Sequence, residues 1–190
     1  MTSTWLPEGY EAPKTSGNYM KLEDGANKFR VLSKPLIGWE YWNLENKPVR
    51  LKERPETLPE DIREDGKIKH FWAFVVWNYR SAKLQILEIT QVSIQGAIED
   101  LVLNEDWGSP ETYDLTITKK GQKLDTEYSV QPSPHKTAPP EAMDALTHIN
   151  INLPALFKGE DPFADIDHDK TMSENNPFKG EEGKAYKAAF

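Results

Sequence analysis

Hydrophobic positions are most concentrated in KIKHFWAFVVWNY, residues 67–79, the longest apolar run of the chain, with polar positions only towards its ends. Valine and aromatic residues dominate this run, and such residues favour a pleated, half-buried surface. The pattern therefore predicts a long strand rather than a helix. Its two faces carry, respectively, Ile68, His70, Trp72, Phe74 and Val76, and Lys69, Phe71, Ala73, Val75 and Trp77. Because both faces are apolar, we expect one to fill an interior and the other to meet a covering element or a ligand.

Shorter runs on either side predict the other strands of the same sheet. Seven strands are expected, at residues 26–33, 36–43, 47–52, 67–79, 83–89, 113–119 and 125–130. Gly38 lies inside the second of these and predicts a bulge or a sharp bend. Between residues 90 and 103 the apolar positions recur every three or four residues, which predicts an amphipathic helix.

The order of these elements favours a mainly β fold, an OB-fold-like barrel of about five strands with extra hairpins and one packed helix. A β-sandwich with one helix is the alternative architecture. Changes in composition divide the chain into four parts. They are an extended N-terminal arm (1–24), the barrel domain (25–134), a linker with a short helix (135–158) and an acidic flexible tail (159–190).

Charge is distributed unevenly along the 190 residues, whose net charge is −8. Six Lys and Arg residues stand against two Glu residues between Asn27 and Lys52. Between Glu160 and Glu174, six acidic residues stand against one Lys. A locally basic body with an acidic tail can attract phosphates in spite of an acidic total.

Several classes of protein are disfavoured by what the sequence lacks. There is no cysteine, which fits a reducing cytoplasm, and no run of roughly 20 apolar residues that would cross a membrane. There is no phosphate loop, no Gly-x-Ser-x-Gly elbow and no His spacing typical of a metal site. The acidic run 165–169 lacks the glycine and terminal glutamate of an EF-hand loop. We therefore expect neither an enzyme nor a metal or cofactor site.

Three stretches resemble bacteriophage single-stranded DNA-binding proteins of the OB-fold type: GNYMKLEDGANKFRVLSKPLIGWEYWN, KHFWAFVVWNY and LQILEITQVSIQGAIEDLV. The resemblance covers about residues 17–134. It implies a protein that coats single-stranded DNA, without reading its sequence, during phage replication, recombination or repair. It also implies an acidic C-terminal tail that contacts replication or recombination proteins. The lysines at 179, 184 and 187 depart from that pattern, because they dilute the acidic charge.

Binding of single strands combines aromatic rings that stack on bases with cations that neutralise phosphates. The candidate stacking residues are Trp39, Tyr41, Phe71 and Trp77, whereas Trp42 and Trp72 are expected in the core. The candidate phosphate contacts are Lys28, Arg30, Arg50, Lys52, Lys69, Arg80 and Lys83, several of them on one face. The candidate partner-binding residues of the tail are Asp161, Phe163, Asp165, Asp167, Asp169, Phe178 and Phe190.

A second interpretation stays open at this point. The same aromatic face could serve a protein-interaction or virion structural module that does not bind nucleic acid. In either case, alternation alone assigns a ring to a face of the sheet and leaves open whether that face is covered.

Overall fold

One mixed sheet of eight strands organises this computed structural model, which describes residues 17–64 and 66–163. The strands are β1 (Tyr19–Met20), β2 (Gly25–Val31), β3 (Leu36–Trp42), β4 (Pro48–Leu51), β5 (Lys69–Asn78), β6 (Lys83–Ile89), β7 (Asp114–Lys120) and β8 (Glu127–Pro132). The α-helices are α1 (Val92–Leu103) and α2 (Pro140–His148), and a 3₁₀ helix spans Leu153–Lys158. The seven predicted strands, the helix near 90–103 and a short helix after residue 135 are confirmed within a few residues.

The long strand β5 lies at the centre of the sheet. It pairs with β6 along one edge, and along the other with β3 at its start and β2 at its end. Beyond β2 the sheet continues to β7 and β8, and β1 pairs in parallel with the outer edge of β6. In the described residues these pairings form an open path from β1 to β8. The mainly β class is therefore confirmed.

The two faces of β5 separate as the alternation predicts, and each has its own core. On the inner face, Phe74 and Val76 pack with Phe29, and Ile94 and Ile98 of α1 cover them. On the outer face, the buried side chains are Phe71, Ala73, Val75 and Trp77 of β5 with Leu84 and Ile86 of β6.

Residues 140–163, here called the C-terminal layer, cover this outer core. Ala142 of α2, Leu156 of the 3₁₀ helix and Phe163 are almost fully buried against β5 and β6. The linker and the start of the flexible tail expected from the sequence are therefore a structural part of the domain up to Phe163. Burial of large apolar side chains, at roughly 1.5–3 kcal/mol each, holds the layer in place.

Gly38 marks a close approach between the layer and the sheet. A Cβ at this position would lie 2.5 Å from the Leu51 carbonyl oxygen and 2.8 Å from the ring of Phe157. The expected bulge or bend is therefore better explained as a close backbone approach, because only glycine leaves room for that ring.

None of the helices in the described ranges, 17–64 and 66–163, is long and apolar enough to cross a membrane.

Candidate nucleic-acid interface

Five of the seven predicted phosphate contacts project from the outer face of the sheet. The strand registers and side-chain contacts put Lys28 and Arg30 at one end and Arg50, Lys52 and Lys69 at the other. Between these two groups lies the C-terminal layer. The outer face therefore carries two cationic clusters that flank a covered apolar centre.

The first group, the Asp114 cluster, consists of Lys28, Arg30, Tyr79, Asp114 and Lys136. The carboxylate of Asp114 is fully buried and lies 2.7 Å from the Arg30 guanidinium, 2.8 Å from the Lys136 ammonium and 3.3 Å from the Lys28 ammonium. The Tyr79 hydroxyl donates a hydrogen bond to it over 2.9 Å. Three cations against one carboxylate leave this cluster with an excess of positive charge.

Asp114 stays ionised in this environment. Burial opposes its charge, but hydrogen bonds from Lys136 and Tyr79 and the charge of Arg30 outweigh burial, so the pKa of Asp114 falls below its usual value. Burial and the contact with Asp114 raise the pKa of Tyr79 to about 12. Tyr79 therefore keeps its hydroxyl proton at neutral pH.

The ammonium groups of the Asp114 cluster also contact an aromatic ring. Lys28 Nζ lies 5.1 Å and Lys136 Nζ 5.7 Å from the centre of the Tyr79 ring, within the range of a cation–π contact. Both lysine side chains remain about half exposed, at 44% and 48%. Arg30, in contrast, is completely buried. Lys28 and Lys136 are therefore the members that can reach a phosphate, and the prediction that Arg30 contacts one is wrong for this arrangement.

The second group, the Glu40 cluster, consists of Glu40, Arg50, Lys52, Lys69 and Glu88. Arg50 is paired with Glu88 at 2.7 Å and lies 3.8 Å from Glu40. In the strand registers Glu40 stands between Arg50 and Lys69. Lys52 and Lys69 are exposed, whereas Arg50 is largely enclosed by the two glutamates.

Glu40 is held mainly in its protonated form. Burial, a hydrogen bond with Glu88 and the charge of Glu88 raise its pKa to about 8, against the opposing charges of Arg50 and Lys69. At neutral pH the cluster therefore holds three cations against the Glu88 carboxylate. Like the Asp114 cluster, it carries an excess of positive charge.

The free energy of unfolding should fall as the pH rises from about 4.5 to about 8, because of the proton held by Glu40. Because the folded protein binds this proton up to about pH 8 and the unfolded chain loses it near 4.5, the free energy of unfolding decreases between these values. One proton accounts for up to about 1.4 kcal/mol per pH unit. Urea unfolding between pH 5 and 9 should show that Glu40→Gln removes this part of the slope, whereas Glu56→Gln at an exposed site retains it. Parallel slopes in Glu40→Gln and the wild type would contradict the assignment.

Three of the four predicted stacking rings are buried. Tyr41 is 6% exposed and donates a hydrogen bond to Asp61, Phe71 is fully buried beside Phe157, and Trp77 is 8% exposed in the outer core. Their burial contradicts a role in base stacking, because no face of these three rings is open to solvent. For Phe71 and Trp77 the covering element is the C-terminal layer.

Trp39, the fourth predicted ring, is partly exposed but lies on the opposite face of the sheet from the clusters. Its ring contacts His70 at 5.0 Å between ring centres and the Arg54 guanidinium at 5.2 Å. Trp72 packs against the inner core as expected, whereas Trp42 is 40% exposed, so its expected place in the core is wrong.

The remaining predicted residues are not members of either cluster, although Arg80 lines the same pocket as Lys28 and Tyr79. Arg80 is paired with Glu23 at the turn after β5, and Lys83 begins β6 opposite Asn78. In the tail, Phe163 is buried in the outer core, so it is not available to a partner, and Asp161 accepts a hydrogen bond from the Phe163 amide. Asp165, Asp167, Asp169, Phe178 and Phe190 lie outside the described residues.

Three members of the Asp114 cluster were missed in the sequence: Tyr79, Asp114 and Lys136. Lys136 falls in the predicted linker, and Tyr79 was treated only as the end of a strand. A signal existed for Tyr79, because it shares the alternation of Phe71 and Trp77. No local pattern brings Lys136 to Asp114, since their contact depends on the path of the chain after β8.

No family model, curated protein or solved structure matches this chain. The arrangement of side chains is therefore the basis for a function.

Proposed function

We propose that the protein binds single-stranded DNA without sequence preference, through the exposed lysines of its outer face. The observation that carries this proposal is the convergence of Lys28 and Lys136 on Tyr79, in a cluster with a surplus of positive charge. In a chain of net charge −8, such a local surplus is where a polyanion would be attracted.

The order of elements supports an OB-fold-like barrel as the framework. The strands β2 and β3 together, then β5, β6, β7 and β8, follow the five-strand order of that fold, and α1 lies between β6 and β7. β2 and β3, taken together as the first strand of that fold, both pair with β5, and β2 also pairs with β7. On this interpretation α1 fills the gap between β6 and β8.

Binding at these clusters would combine two physical terms. Phosphates contacting Lys28, Lys136, Lys52 or Lys69 would release counterions, which makes affinity fall as salt rises. Exposed rings beside the cations would stack on bases at roughly 1–3 kcal/mol per base. Trp42, which is 40% exposed and lies two residues from Glu40, supplies such a ring, whereas the Tyr79 ring is partly buried against the outer core.

The two clusters can be tested separately from the rest of the surface. Lys28→Gln with Lys136→Gln, and Lys52→Gln with Lys69→Gln, should each weaken binding of the full chain to oligo-dT. The slope of log affinity against log salt should become shallower by about 1 for each lysine that contacts a phosphate. Fluorescence anisotropy of labelled oligo-dT at several salt concentrations measures both quantities.

Lys34→Gln is the matched control, because Lys34 is exposed but lies beside the inner face. It should leave the affinity and the salt slope unchanged. If the wild-type chain fails to bind oligo-dT even at low salt, the proposed function is wrong and a protein-interaction module is favoured. If it binds but neither double variant weakens binding, the function stands and the assignment of the site is wrong.

A further inference from the structure

An open apolar groove of about 450 Å³ lies on the inner side of the sheet, between the end of α1 and the start of β3. Its lining includes Ile37, Trp72, Phe74, Val102, Leu103 and Leu115. Ile37, Val102 and Leu103 are 50%, 45% and 75% exposed. Large apolar side chains that stay open to solvent in a groove are typical of a surface that binds a partner.

Trp72, which lines the groove, carries an unsatisfied hydrogen-bond donor. The indole Nε1 of Trp72 is buried and has no hydrogen-bond partner among the described residues. An unpaired buried donor is costly, at roughly 1–3 kcal/mol. Because this nitrogen is closed to solvent, an acceptor of an occupant reaches it only after the Trp72 side chain moves, so it does not by itself identify the occupant.

The surroundings of the groove are strongly acidic. Residues 99–111 contain five carboxylates and neither Lys nor Arg, and two of the five, Glu99 and Glu111, line the groove. Lys34 is the cation in the lining. An occupant that complements this site therefore has aromatic or aliphatic side chains and positive charge, and lacks carboxylates.

One segment of this chain outside the described residues has that composition. Residues 184–190, KAYKAAF, combine two lysines with Tyr186 and Phe190 and contain no acidic side chain. Residues 1–16 carry Glu8 and Glu11 against Lys14, and the stretch around Phe178 carries Glu174, Glu181 and Glu182 against Lys179, so both are poorer complements.

The connecting chain is long enough for this segment to reach the groove. Twenty residues separate Phe163 from Lys184, and they can span up to about 65 Å when extended. A domain of this size has a radius of gyration of only about 15 Å. The segment can therefore reach the groove of its own chain or that of a neighbouring copy.

We propose that Lys184–Phe190 binds in the inner-side groove, with its aromatic rings on Ile37, Trp72 and Leu103 and its lysines beside Glu99 and Glu111. This contact lies on the opposite side of the sheet from the two cationic clusters. It does not rest on the proposed DNA-binding function, and it gives the cationic end of the chain a role separate from the acids upstream.

Because the chain has no cysteine, a pair of introduced thiols can test the contact in the full chain. Leu103→Cys with Ala189→Cys should form a disulfide under glutathione disulfide roughly tenfold faster than Leu124→Cys with Ala189→Cys, because binding raises the effective concentration of the thiols. Leu124 is fully exposed at the turn between β7 and β8. A monomeric product indicates that the segment binds within its own chain, and a covalent dimer indicates that it binds a neighbouring copy. Either result supports the contact.

Charge reversal separates specific binding from random collision. Lys184→Glu with Lys187→Glu should reduce the rate of the Leu103→Cys pair to that of the Leu124→Cys control pair, and adding Glu99→Lys with Glu111→Lys should restore it. Equal rates in the two parent pairs, or no effect of reversing the lysines, would overturn the proposal. Circular dichroism confirms that each variant is folded before the rates are compared.

Discussion

Asp114→Ala should lower the free energy of unfolding by roughly 3–5 kcal/mol, the cost of leaving one member of a buried ion pair without its partner. Arg30 is completely buried, and its guanidinium lies 2.7 Å from Asp114. Without the carboxylate, Arg30 retains a hydrogen bond from Nη1 to the Lys136 carbonyl oxygen but has no opposite charge. Lys28 and Lys136 would add repulsion around it. Urea unfolding monitored by tryptophan fluorescence measures the loss.

Two further variants separate charge from shape at this position. Asp114→Asn keeps the size of the side chain and removes only its charge, so its loss of stability should lie between those of the wild type and Asp114→Ala. Arg30→Met combined with Asp114→Ala should recover part of the stability, because it removes the unpaired charge. A loss below about 1 kcal/mol in Asp114→Ala, within the usual range for point substitutions, would show that the pair contributes little.

Phe71→Ala should destabilise the protein by roughly 3–5 kcal/mol while leaving DNA affinity unchanged in the folded fraction. Phe71 is fully buried, and its ring contacts Phe157 of the C-terminal layer at 6.1 Å between ring centres. Removing it opens a cavity between sheet and layer. Urea unfolding gives the stability, and oligo-dT anisotropy at a temperature where the variant remains folded gives the affinity.

Trp42→Ala is the matched aromatic control, because Trp42 is 40% exposed. It should cost less stability than Phe71→Ala, because part of its ring already lies in water, and it should weaken binding if its ring stacks on a base. If Phe71→Ala instead abolishes binding with little loss of stability, the C-terminal layer must detach from the outer face in solution. Phe71 would then be a DNA contact and not a core residue.

The sheet could be predicted because its signals are local. Alternation fixed which side chains of β5 face each way, and the change of period after Thr90 located α1. The C-terminal layer could not be predicted in the same way. Its buried residues, such as Ala142, Leu156 and Phe163, are widely spaced among prolines and polar residues, so the segment has the composition of a linker.

The candidate site shows the same limit at the level of single side chains. The sequence included Lys28, Lys52 and Lys69 among seven candidate cations, several of them expected on one face, because strand parity decides the direction of a side chain. It could not decide exposure, which depends on distant partners. Arg30 is buried in a pair with Asp114, which lies 84 residues away in sequence. Phe71 is buried because Phe157 packs over it.

The position of the C-terminal layer has a consequence for the growing polypeptide. The strands that carry Phe71, Trp77 and Ile86 are synthesised before Leu156 and Phe163, which cover them. The apolar side chains of the outer face therefore stay exposed in the nascent chain until residues 140–163 emerge. Exposed apolar surface of this kind promotes aggregation. A shortened version of the protein should therefore retain Phe163, since a boundary placed at residue 134 or 158 would leave the outer core partly exposed.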